Sequence, residues 1–541
     1  MRPSNWIIKN PGEDKMKKRM RVLDTTLRDG SQAEGVSFSV SDRLVIASKL
    51  DEFGVDYVEG GFPLSNPKEA EFFNELKKRR LKKAKPVAFG MTRRKDTSAK
   101  EDAGVASLIA AGTPAVTVVA KTWDLHVQAV LRTSLRESLN MIEDTVSHLK
   151  SHGLEVLFDA EHFFDGYRDN KEFALKALRV AAGAGADAVV LCDTNGGSLP
   201  AEIEVVVRDV ASQFELPLGI HTHNDSGVAV AGSLAAVDAG ATHVQGTING
   251  FGERCGNADL TALIPNLVLK KGRTCRCGRN LAKLTELSRF VYEVANVSLQ
   301  NNQPYVGESA FAHKSGLHAD AVAKKTTTFE HVTPGLVGNE RRFLVSELAG
   351  SSALLAKAER YKLLRDKDAR RKVLKRIKEL ERDGYHFEAA EGSFELIARK
   401  LLGGYERFFE PLEYRVVVNR KGGEHETVTE ASLKVRVGDA MEHVVSEGDG
   451  PVNALDNALR KALEPFFPEL RNVRLIDYKV RVIDAVAGTA AKVRVIVQSK
   501  DHESTWGTVG VSENIIDASW EAILDSVEYK LIKERAERSR K

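Results

Sequence analysis

Short apolar segments alternate with helix-like segments from residue 21 to residue 252, and this alternation constrains the fold more than any other feature. Each apolar segment has the length of one buried strand, and the segments recur about every thirty residues. Several follow a glycine that can end the preceding helix in the left-handed conformation, as in Phe53-Gly54-Val55 and Ala239-Gly240-Ala241. The predicted strands span residues 21–28, 55–62, 86–91, 115–120, 154–160, 186–193, 218–223 and 243–249.

Alternating strands and helices predict an α/β fold with a parallel sheet. Eight such units in about 230 residues match the size of a (β/α)8 TIM barrel, in which strand 8 pairs with strand 1. An open, doubly wound sheet is the structural alternative. We predict a barrel over residues 21–274.

The ends of predicted strands 1 and 7 carry residues that suit a metal ion. Residues i and i+2 of a strand face the same side, so His221 and His223 can bind one ion. Such a pair taken alone is more often two ordinary histidines. In a barrel, however, strands 7, 8 and 1 are neighbours and their carboxyl ends meet at the face where active sites form, which brings Asp29 beside both histidines. Asn257, in the loop after strand 8, adds an amide oxygen.

The composition excludes several classes of protein. The net charge of +3, from 79 basic and 76 acidic residues, predicts neither general nucleic-acid binding nor an acidic tail. The four cysteines form no disulfide framework or zinc ribbon, which is typical of a reducing compartment. No segment approaches the ~20 apolar residues that span a bilayer. We expect a soluble cytoplasmic enzyme with small-molecule partners, and we interpret residues 1–20 as a loose leader without a secretion signal.

Three segments carry a family resemblance: residues 24–32 (DTTLRDGSQ), 221–225 (HTHND) and 252–258 (GERCGNA). They resemble the metal-dependent Claisen-condensing enzymes of the isopropylmalate, homocitrate and citramalate synthase group. The resemblance runs over nearly the whole chain, and residues 450–456 and 488–492 are most similar to the citramalate branch. That branch implies condensation of pyruvate with acetyl-CoA and thioester hydrolysis to (R)-citramalate, in isoleucine biosynthesis. The nearest alternative is isopropylmalate synthesis from 2-oxoisovalerate, for leucine.

The resemblance implies that Asp29, His221, His223 and Asn257 hold a divalent ion, which acts as a Lewis acid on the 2-oxo acid. This set of nitrogen and oxygen ligands suits magnesium, manganese or zinc, and the sequence does not distinguish them.

Further residues match substrate-binding and catalytic positions of the family. Arg28, Gln32 and Thr194 are implied to bind the 2-oxo acid, and Arg28 also to stabilise the developing oxyanion. Glu161, at the end of strand 5, matches the catalytic glutamate. The alternatives are a barrel-mouth salt bridge for Arg28, a helix N-cap for Thr194 and a surface carboxylate for Glu161.

A base is harder to supply, because the methyl group of a thioester is very weakly acidic. In the family, a histidine from beyond the barrel serves, reaching into the partner subunit's site of a homodimer. His318, in residues 311–320 (FAHKSGLHAD), matches it better than His313, and its imidazole titrates near neutrality. Phe329 stands where the related synthases carry a tyrosine that assists this histidine. Either His331 or water substitutes, or the tyrosine is auxiliary, or turnover is slower; we expect the activity to be retained.

Cationic segments also flank predicted strand 3. The basic run at residues 77–85 precedes the strand, which predicts a solvated helix surface on the barrel face opposite the active site. Arg93 and Arg94 follow the strand at the catalytic face and are candidates to meet the phosphates of coenzyme A. Phe89 and Met91, near the end of the strand, indicate a small pocket, as pyruvate requires.

The periodicity changes in the C-terminal half. Residues 275–408, which include a helical segment at 363–381, are interpreted as helical connector subdomains. Residues 409–541 form a predicted α+β domain built from a duplicated strand-rich and helical unit. The repeated pairs are 414–418 with 478–482, 433–437 with 491–495, and the helices 452–463 with 513–524.

The duplicated unit carries few candidate catalytic groups, and the family's equivalent binds the amino-acid product of the pathway and inhibits the enzyme. We therefore expect isoleucine as the effector. The alternative is a dimerisation platform without an effector. A lyase running the reverse cleavage shares the metal motif but lacks this tail, and a non-catalytic amino-acid sensor is the hypothesis from another class. The intact Arg28, Asp29, His221 and His223 argue against the sensor.

Overall fold

Eight parallel strands pair in sequence order and close into a barrel, because β8 pairs with β1. The register aligns Arg21 with His243 and Asp24 with Gly246. The predicted barrel is therefore confirmed, and the open sheet is excluded. The strands are β1 (Arg21–Asp24), β2 (Tyr57–Gly61), β3 (Lys85–Met91), β4 (Ala115–Lys121), β5 (Glu155–Glu161), β6 (Ala188–Asp193), β7 (Leu218–Thr222) and β8 (His243–Gly246).

The computed structural model describes residues 19–79, 81–344, 366–403, 405–420, 427–483, 488, 490–502 and 504–538. The chain divides into two compact units. The first contains Met1–Phe311 and Val332–Glu340, and the second contains Ala312–His331 and Arg341–Lys541. Of the predicted leader, residues 1–18 lie outside the described residues, as do residues 363–365 of the predicted connector helix.

Strand β1 ends at Asp24, four residues earlier than predicted. The carboxylate of Asp24 accepts hydrogen bonds from the backbone amide of Thr26 at 3.0 Å and from its hydroxyl at 2.9 Å. This local side-chain bond turns the chain away from the sheet. Arg28 and Asp29 consequently lie in a tight turn above the strand, and Asp29 precedes the 3₁₀ turn Gly30–Gln32.

The barrel interior changes from apolar to polar along the strands. Side chains two residues apart share a face, so Glu59 follows Tyr57, and Asp159 follows Leu157, toward the carboxyl ends. Gln245 of β8 is also fully buried. Polar groups therefore lie between an apolar layer and the mouth of the barrel. The apolar layer consists of Leu23, Tyr57, Val87, Ala115, Leu157 and Ala188.

Helices cover the outside of the barrel. Ser39 and Asp42 form a reciprocal capping box at the start of α1, and Gly54 ends that helix with φ 94°, as its position before a strand predicted. In the basic run, Lys77 and Lys78 end α2, whereas residues 81–84 form no helix. The helices are α1 (Val40–Phe53), α2 (Pro67–Lys78), α3 (Ala103–Ala110), α4 (Asp124–Ala129), α5 (Leu135–Ser151), α6 (Phe163–Asp169), α7 (Lys171–Gly183), α8 (Pro200–Ala211), α9 (Ala229–Ala239), α10 (Leu260–Pro265) and α11 (Leu284–Ala295).

The segment Val332–Glu340 belongs to the first unit although it follows twenty residues of the second. Val337 is fully buried in the core of the barrel unit, and its carbonyl accepts a hydrogen bond from the hydroxyl of Thr285 at 2.7 Å. Asn339 donates to the carbonyls of Tyr305 and Gly307, both at 2.9 Å. This segment therefore completes the barrel unit.

The second unit contains two three-stranded antiparallel sheets, β11-β12-β13 and β14-β15-β16, each followed by a helix. The predicted duplication is confirmed, with a second helix longer than expected. Helices α13 and α14, from the predicted connector, pack on the second sheet through Val373, Ile377, Phe394 and Val509. The elements are β9 (Ala312–His313), α12 (Gly316–Lys324), β10 (Arg342–Phe343), α13 (Lys367–Arg382), α14 (Glu391–Leu402), β11 (Glu410–Arg420), β12 (Thr427–Val437), β13 (Ala440–Gly448), α15 (Pro451–Leu463), β14 (Arg474–Val482), β15 (Val493–Lys500), β16 (Thr505–Ser512) and α16 (Ile515–Arg538).

Every helix in the described part of the chain is too short or too polar to cross a membrane.

Candidate active site

Three buried side chains meet at the mouth of the barrel. His221 lies in β7, His223 lies just beyond its end, and Asp29 comes from the turn after β1. The Nε2 atom of His221 lies 3.3 Å from Nε2 of His223 and 3.3 Å from Oδ2 of Asp29. One potential ligand atom from each residue lies within 4.8 Å of the other two. The structure thus brings together three of the four predicted ligands in the arrangement that one ion requires.

The donor set fits a cation because buried acceptor atoms lack donors. Asp29 Oδ2 and Asn257 Oδ1 are buried and have no hydrogen-bond partner among the described residues. Asn257 pairs with His223 across an isolated bridge, and its amide nitrogen donates to the carbonyl of Phe251 at 3.2 Å. Burying polar atoms without partners is unfavourable unless a ligand satisfies them. A divalent ion is the ligand that this combination of carboxylate, imidazole and amide oxygen accommodates.

Gln245 orients His221. Its Oε1 lies 2.8 Å from Nδ1 of His221, while its Nε2 donates to Oδ1 of Asp159 at 3.0 Å. Because the amide oxygen can only accept, the proton of His221 resides on Nδ1, and Nε2 presents its lone pair to the cluster. Burial, together with the negative charge of Glu59, raises the pKa of Asp159 well above its ordinary value.

Electrostatics keeps the ligands in metal-binding forms. Burial alone would raise the pKa of Asp29, but the charge of Arg28, followed by the neighbouring imidazoles of His221 and His223, outweighs it, and the pKa is lowered. Burial, followed by the neighbouring His221, lowers the pKa of His223 to about 3. A carboxylate and a neutral imidazole are the forms that coordinate an ion at neutral pH.

Arg28 lies between two carboxylates beside this cluster. Its Nε donates to Oε2 of Glu59 at 2.7 Å, its Nη1 lies 2.8 Å from Oδ1 of Asp29, and its guanidinium covers the ring of Phe89 at 4.1 Å. Arg28 therefore forms the barrel-mouth salt bridges that the alternative interpretation predicted. A guanidinium carries five donors, and these two contacts engage two of them. The remaining donors give Arg28 the capacity to bind a substrate oxygen.

The loop at residues 252–258 is fixed by one arginine. Arg254 donates from Nε and Nη2 to the carboxylate of Asp225 at 2.7 and 2.9 Å, and from Nη2 to the carbonyl of Thr194 at 2.8 Å. Gly256 has φ 86°, and a Cβ there would lie 2.0 Å from the carbonyl oxygen of Gly250. Only glycine fits this turn, which brings Asn257 opposite His223.

Two of the other predicted barrel residues, Thr194 and Glu161, lie at the ends of strands. The hydroxyl oxygen of Thr194 accepts from the backbone amide of His162 at 2.9 Å, and α8 has Leu199 as its N-cap, so Thr194 does not cap that helix. Glu161 pairs with Lys121 at 2.5 Å and is only partly exposed, unlike a free surface carboxylate. Gln32 is exposed at the end of its 3₁₀ turn.

His318 belongs to the second unit. It is exposed on α12, and its ring stacks on Phe329 with centroids 4.0 Å apart and an interplanar angle of 27°. His313 is buried, with Nε2 3.3 Å from Oε1 of Glu330, and Glu330 also pairs with Arg341. His313 thus has a structural environment, and Phe329 supplies a ring surface to His318 without a hydroxyl.

Comparisons with known proteins agree with this geometry. The HMGL-like family model matches residues 19–291, the homocitrate synthase post-HMGL domain-like model matches 305–384, and the LeuA allosteric (dimerisation) domain model matches 388–531. The (R)-citramalate synthase of Geobacter sulfurreducens is 53% identical over 96% of this chain and 99% of its own length. The chain belongs to the (R)-citramalate synthase family.

A second (R)-citramalate synthase is equally similar, and a 2-isopropylmalate synthase is more distant. The (R)-citramalate synthase of Aquifex aeolicus is also 53% identical, over 96% of this chain and 99% of its own length. The 2-isopropylmalate synthase of Methanocaldococcus jannaschii is 32% identical over 98% of this chain and 99% of its own length. As a member of the (R)-citramalate synthase family, the chain is an acetyl-CoA-dependent acyltransferase of the condensing type.

In this family member, the sequence-based reasoning missed the buried polar layer of Glu59, Asp159 and Gln245. The available signal was a polar residue within an apolar strand, with the parity that points into the barrel. The assignment of Arg93 and Arg94 to the phosphates of coenzyme A stays a prediction, and both residues line a cavity of about 720 Å³ at the end of β3. Arg93 is 8% exposed and pairs with Glu137 at 2.9 Å and Asp144 at 2.7 Å.

Proposed function

We propose that this protein is an (R)-citramalate synthase, which condenses pyruvate with acetyl-CoA and hydrolyses the thioester to release (R)-citramalate and coenzyme A. The observation that carries the proposal is Arg28, buried beside the cluster of Asp29, His221 and His223 with donors to spare. Identity of 53% to (R)-citramalate synthases, against 32% to a 2-isopropylmalate synthase, favours pyruvate over 2-oxoisovalerate.

Asp29, His221, His223 and Asn257 are the residues that would hold a divalent ion, which polarises the carbonyl of the 2-oxo acid as a Lewis acid when bound. The geometry suits magnesium, manganese or zinc. Gln245 keeps Nε2 of His221 available as a ligand.

Arg28 donates to the carbonyl oxygen of pyruvate as negative charge develops on it. Glu59 and Asp29 hold the guanidinium in place, so little reorganisation accompanies this step. The hydroxyl of Thr194 can donate to the carboxylate of pyruvate while its oxygen accepts from His162. Glu161, paired with Lys121, is the proposed catalytic carboxylate, and Gln32 a further substrate-binding group.

His318 is the proposed base that removes a methyl proton from acetyl-CoA. It lies outside the barrel unit, and we propose a homodimer in which it serves the partner subunit's site. The match to a LeuA allosteric (dimerisation) domain supports such a dimer. Phe329 stacks on the imidazole ring but provides no hydrogen bond to it.

Release of free thiol from acetyl-CoA tests the activity, with magnesium, manganese or zinc present and with pyruvate, 2-oxoisovalerate and 2-oxoglutarate compared. We expect the highest kcat/KM with pyruvate. Preference for 2-oxoisovalerate would replace the proposal by isopropylmalate synthesis. Turnover of none of the three acids, by protein that binds the metal, would overturn the synthase proposal.

We also propose that the second unit binds isoleucine and transmits feedback inhibition. The support is the LeuA allosteric model and the duplicated sheet-and-helix architecture outside the barrel. Inhibition requires the effector to bind the less active state more tightly. Calorimetric titration with isoleucine, with leucine and valine as matched controls, tests this. Absence of heat from catalytically active protein would leave the unit as a dimerisation platform only.

A further inference from the structure

Two cysteines lie close together at the end of the barrel opposite the metal cluster. Cys275 and Cys277 follow Thr274, whose carbonyl accepts a hydrogen bond from the amide of Met20, just before β1, at 2.8 Å. Their sulfur atoms are 3.3 Å apart, so a disulfide requires an approach of only about 1 Å more. Cys275 is 7% exposed and Cys277 is fully buried. Neither residue has a role in the proposed condensation.

Cys275 lines a cavity of about 540 Å³ that is strongly basic. Arg19, Arg273, Arg276 and Arg279 line the same cavity. Arg19 and Arg276 also pair with Asp56, while the cavity surface retains its positive charge. Clustered guanidinium groups stabilise a thiolate and attract anionic molecules.

The two thiols differ in ionisation. The hydrogen bond from the Cys277 thiol, aided by the amide of Gly278, lowers the pKa of Cys275 despite its burial. The same pairing, together with burial, raises the pKa of the Cys277 thiol well above its usual value. A more acidic thiol that lines a cavity, beside a fully buried second thiol, is the arrangement of an attacking and a resolving cysteine.

We propose that Cys275 and Cys277 form a reversible redox pair that reacts with a small disulfide carrying carboxylate groups. The Cys275 thiolate attacks one sulfur of the disulfide, the disulfide bond breaks, and one thiolate leaves with its electron pair. The Cys277 thiol then gives up its proton and attacks the Cys275 sulfur, which releases the second thiolate. The two protein thiols are oxidised to one disulfide, the external disulfide is reduced to two thiols, and the protein protons go to these leaving groups.

The product is a disulfide whose partners are separated by one residue. Such a short ring departs from relaxed disulfide geometry, and strained disulfides are reduced more readily than structural ones. Cellular dithiols therefore return the pair to its reduced form, so the modification is reversible. Since the pair lies at the amino ends of the strands, oxidation acts on the stability of the barrel and leaves the ligands at the mouth in place.

Oxidised glutathione is the probe, applied to the full chain and followed by alkylation and peptide mass mapping. We expect a product two hydrogen atoms lighter in the peptide with Cys275 and Cys277, reversed by dithiothreitol. Exposed Cys255 serves as an internal comparator because it can form only the mixed disulfide with glutathione. Modification of Cys255 with Cys275 and Cys277 both left reduced would overturn the proposal.

Two variants separate the roles of the cysteines. Cys277→Ser is expected to trap glutathione on Cys275, and Cys275→Ser is expected to protect Cys277. Trapping in the reverse pattern would overturn the assignment of the attacking thiol. Thermal melting of each variant checks that it is folded, and the wild-type result stands independently of both.

Disulfides of different charge test whether the basic cavity selects the reagent. Oxidised glutathione is expected to react about tenfold faster than cationic cystamine at low salt, and the difference should shrink as salt increases. The double variant Arg273→Gln/Arg279→Gln should slow the reaction with glutathione and leave that with neutral hydroxyethyl disulfide unchanged. Equal rates for the anionic and cationic disulfides would overturn the role of the cavity.

Discussion

The two ends of the barrel are built from the same eight strands, yet a buried carboxylate has opposite surroundings at each end. At the carboxyl ends, Asp29 Oδ2 and Asn257 Oδ1 lack a hydrogen-bond partner among the described residues. At the amino ends, Asp51 accepts from the backbone amides of Lys82, Lys83 and Ala84 at 2.6 to 2.9 Å. Asp29 thus keeps a lone pair available for a ligand at the mouth, whereas Asp51 uses its lone pairs to hold the fold together at the opposite end.

Replacing a ligand at the mouth gives the largest expected effect. His223→Ala should lower kcat/KM on the order of 10³-fold or more, because a Lewis acid supplies several kcal/mol to the transition state. The metal content of the variant, measured by elemental analysis, should fall together with kcat/KM. The apo variant should melt no lower than apo wild type, since Nδ1 of buried His223 makes no hydrogen bond within the described ranges. A variant that melts much lower would show that His223 serves the fold.

Arg28→Lys tests the next largest effect. Lysine keeps the charge but cannot bridge Glu59 and Asp29 and also reach the substrate. We expect kcat to fall about 10²- to 10³-fold, as for loss of an oxyanion donor, with metal content unchanged. Steady-state thiol release and elemental analysis measure the two quantities. Concurrent loss of metal would mean that Arg28 acts on the ligand Asp29 and not on the substrate.

Gln245→Leu tests the orientation of His221. Losing the acceptor for Nδ1 should reduce metal affinity about 10- to 100-fold, and excess metal should restore part of the activity. Titration with metal and competition with a chelator give the affinity. Thr117→Val is a matched control, because Thr117 is also fully buried in the barrel and its hydroxyl has no hydrogen-bond partner in the part of the chain that the structure describes. If the two variants bound the metal with equal affinity, Gln245 would have no role in orienting His221.

At the amino ends, the expected effect is on stability alone. Asp51→Asn replaces an acceptor of three backbone amides and should lower the free energy of unfolding by about 1–3 kcal/mol, with kcat unchanged. Urea denaturation measures the change, and exposed Glu52→Gln is the matched control, expected within about 0.5 kcal/mol of wild type. A fall in kcat for correctly folded Asp51→Asn would show that this contact at the amino ends also affects catalysis.

The barrel and its principal ligands were predictable because they depend on spacing and closure. Eight alternating segments fix which strand ends are neighbours, and closure brings Asp29 to His221 and His223. The roles assigned to Arg28, Thr194, Glu161 and His318 came from the family resemblance, and the structure supplies their partners.

Contacts made by individual side chains were not predictable from the same pattern. Asp24 ends β1 early because it bonds Thr26, a competition that hydrophobic periodicity does not register. Arg93 is engaged by Glu137 and Asp144 of α5, forty or more positions away in the chain. Gln245 contacts His221 only because β7 and β8 pair in one particular register.

The return of residues 332–340 to the barrel unit has a consequence during synthesis on the ribosome. The last strand of the barrel emerges near residue 246, but Val337 and Asn339 complete its packing about ninety residues later. A nascent chain therefore carries an unfinished barrel while the first segment of the second unit, Ala312–His331, is translated. A truncated protein ending at Phe311 should accordingly be recovered as a chaperone client, whereas one extended through Glu340 should be released.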